Sequence, residues 1–239
     1  KNWSQEIRYA GEISSKISGV AGLFFIRQEV KINGTEESGT AQWRFSKSST
    51  SNLWATPGLF EGYGISTKAS IKSLSAAAFI NVDWEITPEL HVLPGLRFNL
   101  DKKDVSYNRT TYGGLQTNDP ALIALKNNVY TSQQYEADAD EDNLTYNLTV
   151  AYKPNKRINA YATYSTAFKP VGVNVAGLPT VNNQPALDLA VIKPENVKHI
   201  ELGIKTTPFD DFILNLTFFN TDIRDYQTNV QSPELGVNR

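Results

Sequence analysis

SLSAAAFINVDWEITPELHVLPGLRFNLD, from Ser73 to Asp101, is the stretch whose reading decides the fold. From Leu74 onward every second residue is apolar (Ala76, Ala78, Ile80, Val82, Trp84, Ile86), and Ser75, Asn81, Asp83 and Glu85 fall between them. After Thr87, Pro88 and Glu89 the alternation resumes, with Leu90, Val92, Pro94, Leu96, Phe98 and Leu100 on one side and His91, Arg97, Asn99 and Asp101 on the other. A period of two describes strands with one greasy and one polar face. Strands of soluble sheets usually run about 5–6 residues. These two are about twice as long, near the ~9–11 residues a tilted strand needs to cross a bilayer. The greasy face therefore meets either a protein core or lipid.

Composition narrows the choice. The chain has 239 residues, 20% of them charged and 40% hydrophobic. No run approaches the ~18 consecutive apolar residues of a membrane helix, so a helical membrane protein is excluded. A barrel is not, because alternating strands give a hydrophilic-looking average such as the mean hydropathy of −0.36. A net charge of −2 without a basic stripe argues against a nucleic-acid partner. The lack of cysteine removes disulfide scaffolds, cysteine zinc sites and thiol catalysis. Methionine is also absent, even at position 1, and no leader is recognisable at Lys1, so a processed or partial chain is expected.

Read in order, the chain gives six further strands. The first, Ser4–Ser15, sets Ile7, Tyr9 and Ile13 against Glu6, Arg8 and Glu12. The second, Val20–Ile32, groups Val20, Phe24, Ile26, Val30 and Ile32 opposite Arg27, Glu29 and Lys31, with Leu23 and Phe25 blurring the pattern. Beyond the opening hairpin come Asn143–Tyr152, Ile158–Phe168, Val197–Thr206 and Phe212 to about Tyr226. Between them the periodicity fails over residues 33–72, 102–142 and 169–196. The middle gap contains Asp119-Pro120, an N-cap and first-turn pair that starts a short helix. Short turns fall near residues 17, 88, 155 and 209. Turns and long loops thus alternate strictly, which is the pattern of antiparallel outer-membrane hairpins with short connections on one rim and long ones on the other. Lipid satisfies no backbone hydrogen bond, so the strands must be paired all the way round. Either these eight close on themselves, as an adhesin, a structural barrel or a lipid-modifying barrel would, or they are an arc of a larger barrel. A soluble β-sandwich binding module is the third reading. Trp84, Phe98, Tyr146, Tyr152, Phe168 and Phe212 on the apolar side near strand ends favour a membrane interface.

Three stretches resemble the barrel of TonB-dependent outer-membrane receptors. Tyr161-Ala162-Thr163-Tyr164-Ser165-Thr166-Ala167-Phe168-Lys169-Pro170-Val171-Gly172 resembles that family's Y-A-x-Y-S-x-G-F-K-P-G-G strand, with Ala167 and Val171 where glycine is usual. Pro194-Glu195 through Glu201-Leu202-Gly203-Ile204-Lys205 resembles its P-E…E-L-G-x-K strand, and Phe218 to Gln227 the strand after it. The resemblance implies a non-enzymatic, multi-pass outer-membrane transporter without a cofactor. Such a protein imports a scarce ligand: a ferric siderophore or other metal chelate, a vitamin or an oligosaccharide. It also implies a barrel of 22 strands around a plugged lumen, so that residues 1–239 would be part of a barrel domain. The plug, the energy-coupling box and the C-terminal strands would lie elsewhere. The implied partners are outer-membrane lipid, the protein's own plug, a TonB-type energy-transducing protein reached through an N-terminal segment, and the ligand.

No catalytic or metal-ligating constellation emerges. His91 and His199 are far apart in sequence, and nothing singles out a serine to join either; each reads as a lumen-facing strand residue. Asp138, Asp140, Glu141 and Asp142 offer hard oxygens, yet Asn143 and Thr149 stand where an EF-hand needs glycine and glutamate, so a solvated acidic loop is expected. Five Asn-x-Ser/Thr triplets, three of them within strands, follow from polar–apolar alternation and receive no function. Candidate ligand contacts are the loop aromatics Trp43, Trp54, Tyr63, Tyr107 and Tyr112 and the lumen-side Arg97. Rings pack on ligand rings, and guanidinium grips carboxylates or chelate anions. The same rings would also serve simply to pack the loops together.

Overall fold

In the computed structural model, eight long strands form one antiparallel sheet whose order follows the sequence. The structure describes residues 1–46, 51–181, 184–228, 231–232 and 237–238. The strands are β1 (Asn2–Ser14), β2 (Ile17–Glu37), β3 (Gly64–Thr87), β4 (Leu90–Tyr112), β5 (Gln133–Asn155), β6 (Ile158–Lys169), β7 (Glu195–Phe209) and β8 (Phe212–Arg224). Among the described residues the sheet is open, with β1 paired only to β2 and β8 only to β7. That removes the self-closed eight-stranded barrel, and since the other sheets among the described residues are pairs of two-residue strands, no second layer for a sandwich forms. Two helices lie in the long connections, α1 (Gln42–Ser46) and α2 (Pro120–Val129). The second begins as its sequence dictates, Asp119 accepting a hydrogen bond from the Ala121 amide at 2.8 Å. No helix among the described residues is long and apolar enough to cross a membrane.

Four strands run well beyond the stretches their periodicity marks. β2 continues to Glu37, β3 starts at Gly64, β4 continues to Tyr112 and β5 starts at Gln133. The long connections shrink to 38–63, 113–132 and 170–194, and the acidic run lies on β5 rather than in a loop. Hydrophobic alternation records only where one face meets an apolar medium. The extensions keep a regular ladder, Ile65↔Thr111 to Val105↔Ala137, with polar residues outward, and so leave no greasy stripe in the sequence.

Register sorts the two faces. On one, Leu23, Ala78, Phe98 and Leu144 are aligned across four strands, as are Ala21, Ile80, Leu96 and Tyr146. This face carries Ile7, Leu100, Leu148, Ile200, Leu202 and Leu216, all of them exposed. Toward the short turns it ends at Trp84, Tyr152 and Phe212, and toward the loops it turns charged at the row of Arg27, Leu74, Lys102 and Asp140. The ten steps from Leu74 to Trp84, at about 3.3 Å each on a strand tilted about 40°, rise about 25 Å, the height of the apolar band of an outer-membrane barrel. The opposite face holds Asp83, Arg97, Asn99 and Asp101 and lines the lumen.

Two local expectations change, and the ladder opens at Pro94 as a proline in a central strand requires. On β2 it is Leu23 and Phe25 that face lipid, while Val20, Phe24 and Ile26 face the lumen. Phe24 pairs across from Ala77, and the Arg97 guanidinium lies 5.6 Å from its ring and 5.7 Å from that of Phe79. A cation over two rings shields the apolar surface there from water. Tyr146 sits opposite Leu96 in mid-strand, because β5 continues far past it. At Pro94 no bulge forms. The β3–β4 partners pass from Asn81↔Gly95 to Trp84↔Val92 in unbroken register, the residues between them unpaired, while on the β5 side Pro94↔Leu148 is regular. Proline has no N–H to give the ladder, and the pairing opens on one side only.

The face assignment of β2 has a direct check. In the full receptor, Leu23→Arg is expected to lower the stability of the bilayer-folded protein by about 2–4 kcal/mol, whereas Ile26→Arg, beside Ser75 and Asp101 on the lumen side, costs less than about 1 kcal/mol. Denaturant titration in lipid vesicles measures both, and equal costs would contradict the assignment.

Candidate functional site

The extracellular end is built from two packed clusters. In the first, connections 38–63 and 113–132 fold against each other: Trp54, Leu59, Phe60, Tyr63 and Leu122 are buried, with Trp43, Leu125 and Tyr130 packed around them. The Tyr63 hydroxyl donates to the Tyr130 carbonyl at 2.8 Å. Lys126 on α2 donates to the carbonyls of Gly113 at 3.2 Å and Leu115 at 3.0 Å, with its ammonium 4.5 Å from the Tyr63 ring. Burial pushes the Tyr63 phenol up and the Lys126 amine down from their ordinary pKa values. Gly113 and Gly114 let the chain leave β4 so sharply; both have positive φ, 69° and 66°, and a Cβ at Gly113 would overlap the Gly62 carbonyl.

In the second cluster the connection 170–194 folds inward, over the lumen side of β3–β5. Tyr107 stacks on Tyr135 with centroids 4.7 Å apart, and Ala69, Val105, Leu178 and Ala190 close around them. Four strand side chains hold the loop by its backbone. Gln133 donates to the Leu178 carbonyl at 2.5 Å and accepts from its amide at 2.9 Å; the Tyr135 hydroxyl donates to the Asn174 carbonyl at 2.9 Å. Lys103 donates to the Val171 carbonyl at 2.5 Å, and Glu141 accepts from the Val171 amide at 2.9 Å. Burial drives the Tyr135 phenol far above its usual range. The loop is thus a fixed wall of the vestibule.

Below it the lumen face is polar and internally bonded. Arg97 donates to Asn99 at 2.7 Å, Ser75 to Asp101, and Tyr161 to Glu201 at 2.5 Å. His91 pairs with Asp83 at 2.8 Å, and His199 with Thr221 at 2.8 Å and Glu201 at 3.3 Å. Each histidine is held in a strand network, His91 by a carboxylate and His199 between a hydroxyl and a carboxylate. Among the described residues no group of three or more metal-ligating side chains converges.

The six candidate contact residues separate. Trp54, Tyr63 and Tyr107 are buried in the two clusters. Trp43, on α1, packs beside the first cluster with the Arg44 guanidinium 5.5 Å from its ring. Tyr112, at the top of β4, is partly exposed on the outward side of the sheet, its hydroxyl 3.4 Å from Glu37. Arg97 alone lies down in the lumen, held by Phe24, Phe79 and Asn99. Lys103, Gln133, Tyr135 and Glu141, which fix the inward loop, carry no sequence signal, because the groups they bind are backbone atoms far along the chain. The loop residue Phe45 is 87% exposed, and nothing in its surroundings sets it apart in the sequence.

This architecture, a wide open arc with its loops gathered over one lumen end, coincides with a family model. Residues 8–238 match the β-barrel of TonB dependent receptor-like proteins. The chain belongs to the TonB-dependent receptor family. It is part of an outer-membrane β-barrel of receptor type, a family whose members are not enzymes. One similar protein is the probable TonB-dependent siderophore receptor PiuA of Acinetobacter baumannii, 29% identical over 164 residues, which make up 68% of this chain and 19% of the relative. Among solved structures, the ferric yersiniabactin uptake receptor FyuA from Yersinia pestis aligns with TM-score 0.67 at 19% identity, covering 94% of this chain and 28% of that one. The siderophore receptor PiuA from Acinetobacter baumannii aligns with TM-score 0.60 at 19% identity, covering 91% and 31%. The likeness to these structures is one of fold. The chain spans about a fifth of the curated relative and under a third of either structure.

The fixed wall has a measurable consequence. Gln133→Ala would leave the buried amide and carbonyl of Leu178 without partners, at about 1–3 kcal/mol each. Amide exchange over 174–178 in the full receptor is then expected to speed up about tenfold or more, while exchange in the β3–β4 ladder stays as it was. Unchanged exchange at Leu178 would show the loop is held by other means.

Proposed function

We propose that this chain is an arc of the barrel of an active outer-membrane transporter that imports a ferric siderophore. Its plug and remaining strands would be supplied by other parts of a longer protein, and a TonB-type inner-membrane protein would drive it through an N-terminal segment. The observation that carries the reading is the combination of family membership with a roofed, polar lumen whose far wall is built from its own loops. That PiuA is named as a siderophore receptor and FyuA as a ferric yersiniabactin uptake receptor supports the choice of ligand. A vitamin, an oligosaccharide or another metal chelate would suit the same architecture.

Within this reading the six candidate residues divide by role. Trp43 offers a ring face to the ligand at the mouth, and Arg97 offers a guanidinium to its anionic groups, or to the plug, lower in the lumen; Tyr112, on the outward side of β4, stands away from it. Trp54, Tyr63 and Tyr107 act indirectly, by keeping the loops that shape the mouth in place.

Uptake of radiolabelled ferric siderophore by cells expressing the full receptor tests this. Uptake is expected to vanish when the energy-transducing protein is deleted, while surface binding persists. Trp43→Ala with Arg97→Ala is expected to weaken binding by about 1–3 kcal/mol, roughly tenfold or more. Uptake that survives the deletion would overturn the transporter reading. Full binding by the double variant would remove these residues from the site.

A further inference from the structure

The three stretches that resemble the receptor family meet at one point in space. Lys169-Pro170 lies at the end of β6, Pro194-Glu195 at the start of β7, and Gln227 three residues beyond β8. Between the first two, the chain runs out as the inward loop and returns. The β6–β7 ladder ends at Lys169↔Glu195, because neither Pro170 nor Pro194 has an N–H with which to continue it. A short ladder resumes in the neck of the loop, Gly172↔Ile192 and Val173↔Val191. Backbone groups between the two ladders are therefore left to side chains from other parts of the sheet. Val171 is taken by Lys103 of β4 and Glu141 of β5.

Gln227 takes the two feet of the loop. Its Nε2 donates to the Pro170 carbonyl at 3.0 Å and to the Lys193 carbonyl at 2.8 Å, so one side-chain amide spends an N–H on each foot. Its backbone amide donates to Glu195 at 3.0 Å. Glu195 is buried, and Lys169 lies 3.7 Å from the same carboxylate oxygen. Asp225, with φ of 54°, supplies the left-handed turn that takes the chain off β8 and brings Gln227 back across the loop.

We infer that Gln227 is a positioning residue for the vestibule: it ties the feet of the inward loop to each other and to the connection leaving β8, so that the two connections hold and shift as one wall. A ligand that touches either connection then acts on both. The inference rests on the reading of this vestibule as a ligand's entrance, and its test is run without ligand, so that failure of that reading leaves the outcome intact.

Amide exchange in the detergent-solubilised full receptor is that test. In the wild type, the amides of Val171 and Gln227, on different connections, are expected to exchange through one shared opening with the same denaturant dependence. Gln227→Leu is expected to speed exchange at Val171 and over 172–173 and 191–192 about tenfold or more, while the β3–β4 ladder keeps its protection. Gln227→Glu keeps the shape and removes the donors. Its exchange is expected to match that of Gln227→Leu at about pH 7 and to return toward wild type at about pH 5, where the introduced carboxyl, next to the Glu195 carboxylate, binds a proton and donates again. Wild type measured at both pH values accounts for Glu195, Glu141, Lys169 and Lys103, the charged groups around the feet. Wild-type exchange in Gln227→Glu at neutral pH, or no recovery in acid, would overturn the role of the amide. Separate openings for Val171 and Gln227 would overturn the coupling, and that comparison decides by itself if a variant fails to fold.

Discussion

The rest of the structure depends on the hydrogen-bonding demand of a backbone that passes through hydrocarbon. Lipid offers neither donor nor acceptor, so every N–H and C=O in the apolar band must find its partner on a neighbouring strand. That requirement produces the near-continuous ladders from β1 to β8. It explains why the strands are connected by tight turns on one side, and why irregular chain gathers only at the other end, beyond the band. It also makes the opening at Pro94 informative. Two pairs on one side, Val82 with Pro94 and Asp83 with Leu93, go unmade while register holds, so the ladder absorbs a missing donor locally instead of slipping. A slip by one residue would turn every lipid-facing side chain into the lumen.

Past the band the outward face leaves the hydrocarbon and loops cover the lumen face, so the same strands become a scaffold for the loops. One pair of loops makes its own small core around Trp54 and Tyr63. The inward loop makes none without the strands; it is read by Gln133, Tyr135, Lys103 and Glu141 through its backbone atoms. A wall fixed in this way keeps its shape when a ligand arrives, and less conformational entropy remains to be lost on binding.

How far the sequence could be read follows from where each residue's partner lies. The hairpin at Ser73–Asp101 was legible because its outward partner is a uniform apolar medium, which imposes strict alternation. The strand extensions were not, since water on one face and a loop on the other leave no periodic trace. The second strand misled for a specific reason: Phe24 and Ile26 look lipid-facing, yet Arg97 covers Phe24 from a strand seventy residues away in the chain. The acidic run resembled a loop because its outward carboxylates and the inward Glu141 were read as one cluster, although they point to opposite faces of β5. Of the site residues, Arg97 on the lumen side was legible from its strand parity. The burial of Trp54, Tyr63 and Tyr107 was not, as it is set by contacts between distant loops.

The central claim is that the even-numbered face of β3 meets lipid from Trp84 up to Leu74 and leaves it at Lys72. A nitroxide scan of single-cysteine variants of the full receptor in lipid vesicles, over residues 68–86 of this chain, tests it most directly. The expected result is a two-residue oscillation, oxygen reaching labels at 74, 76, 78, 80, 82 and 84 in preference to a water-soluble nickel complex, with the preference reversing at 72 and above. Oscillation of the opposite phase, or oxygen accessibility continuing unbroken through 72 and 70, would contradict the account.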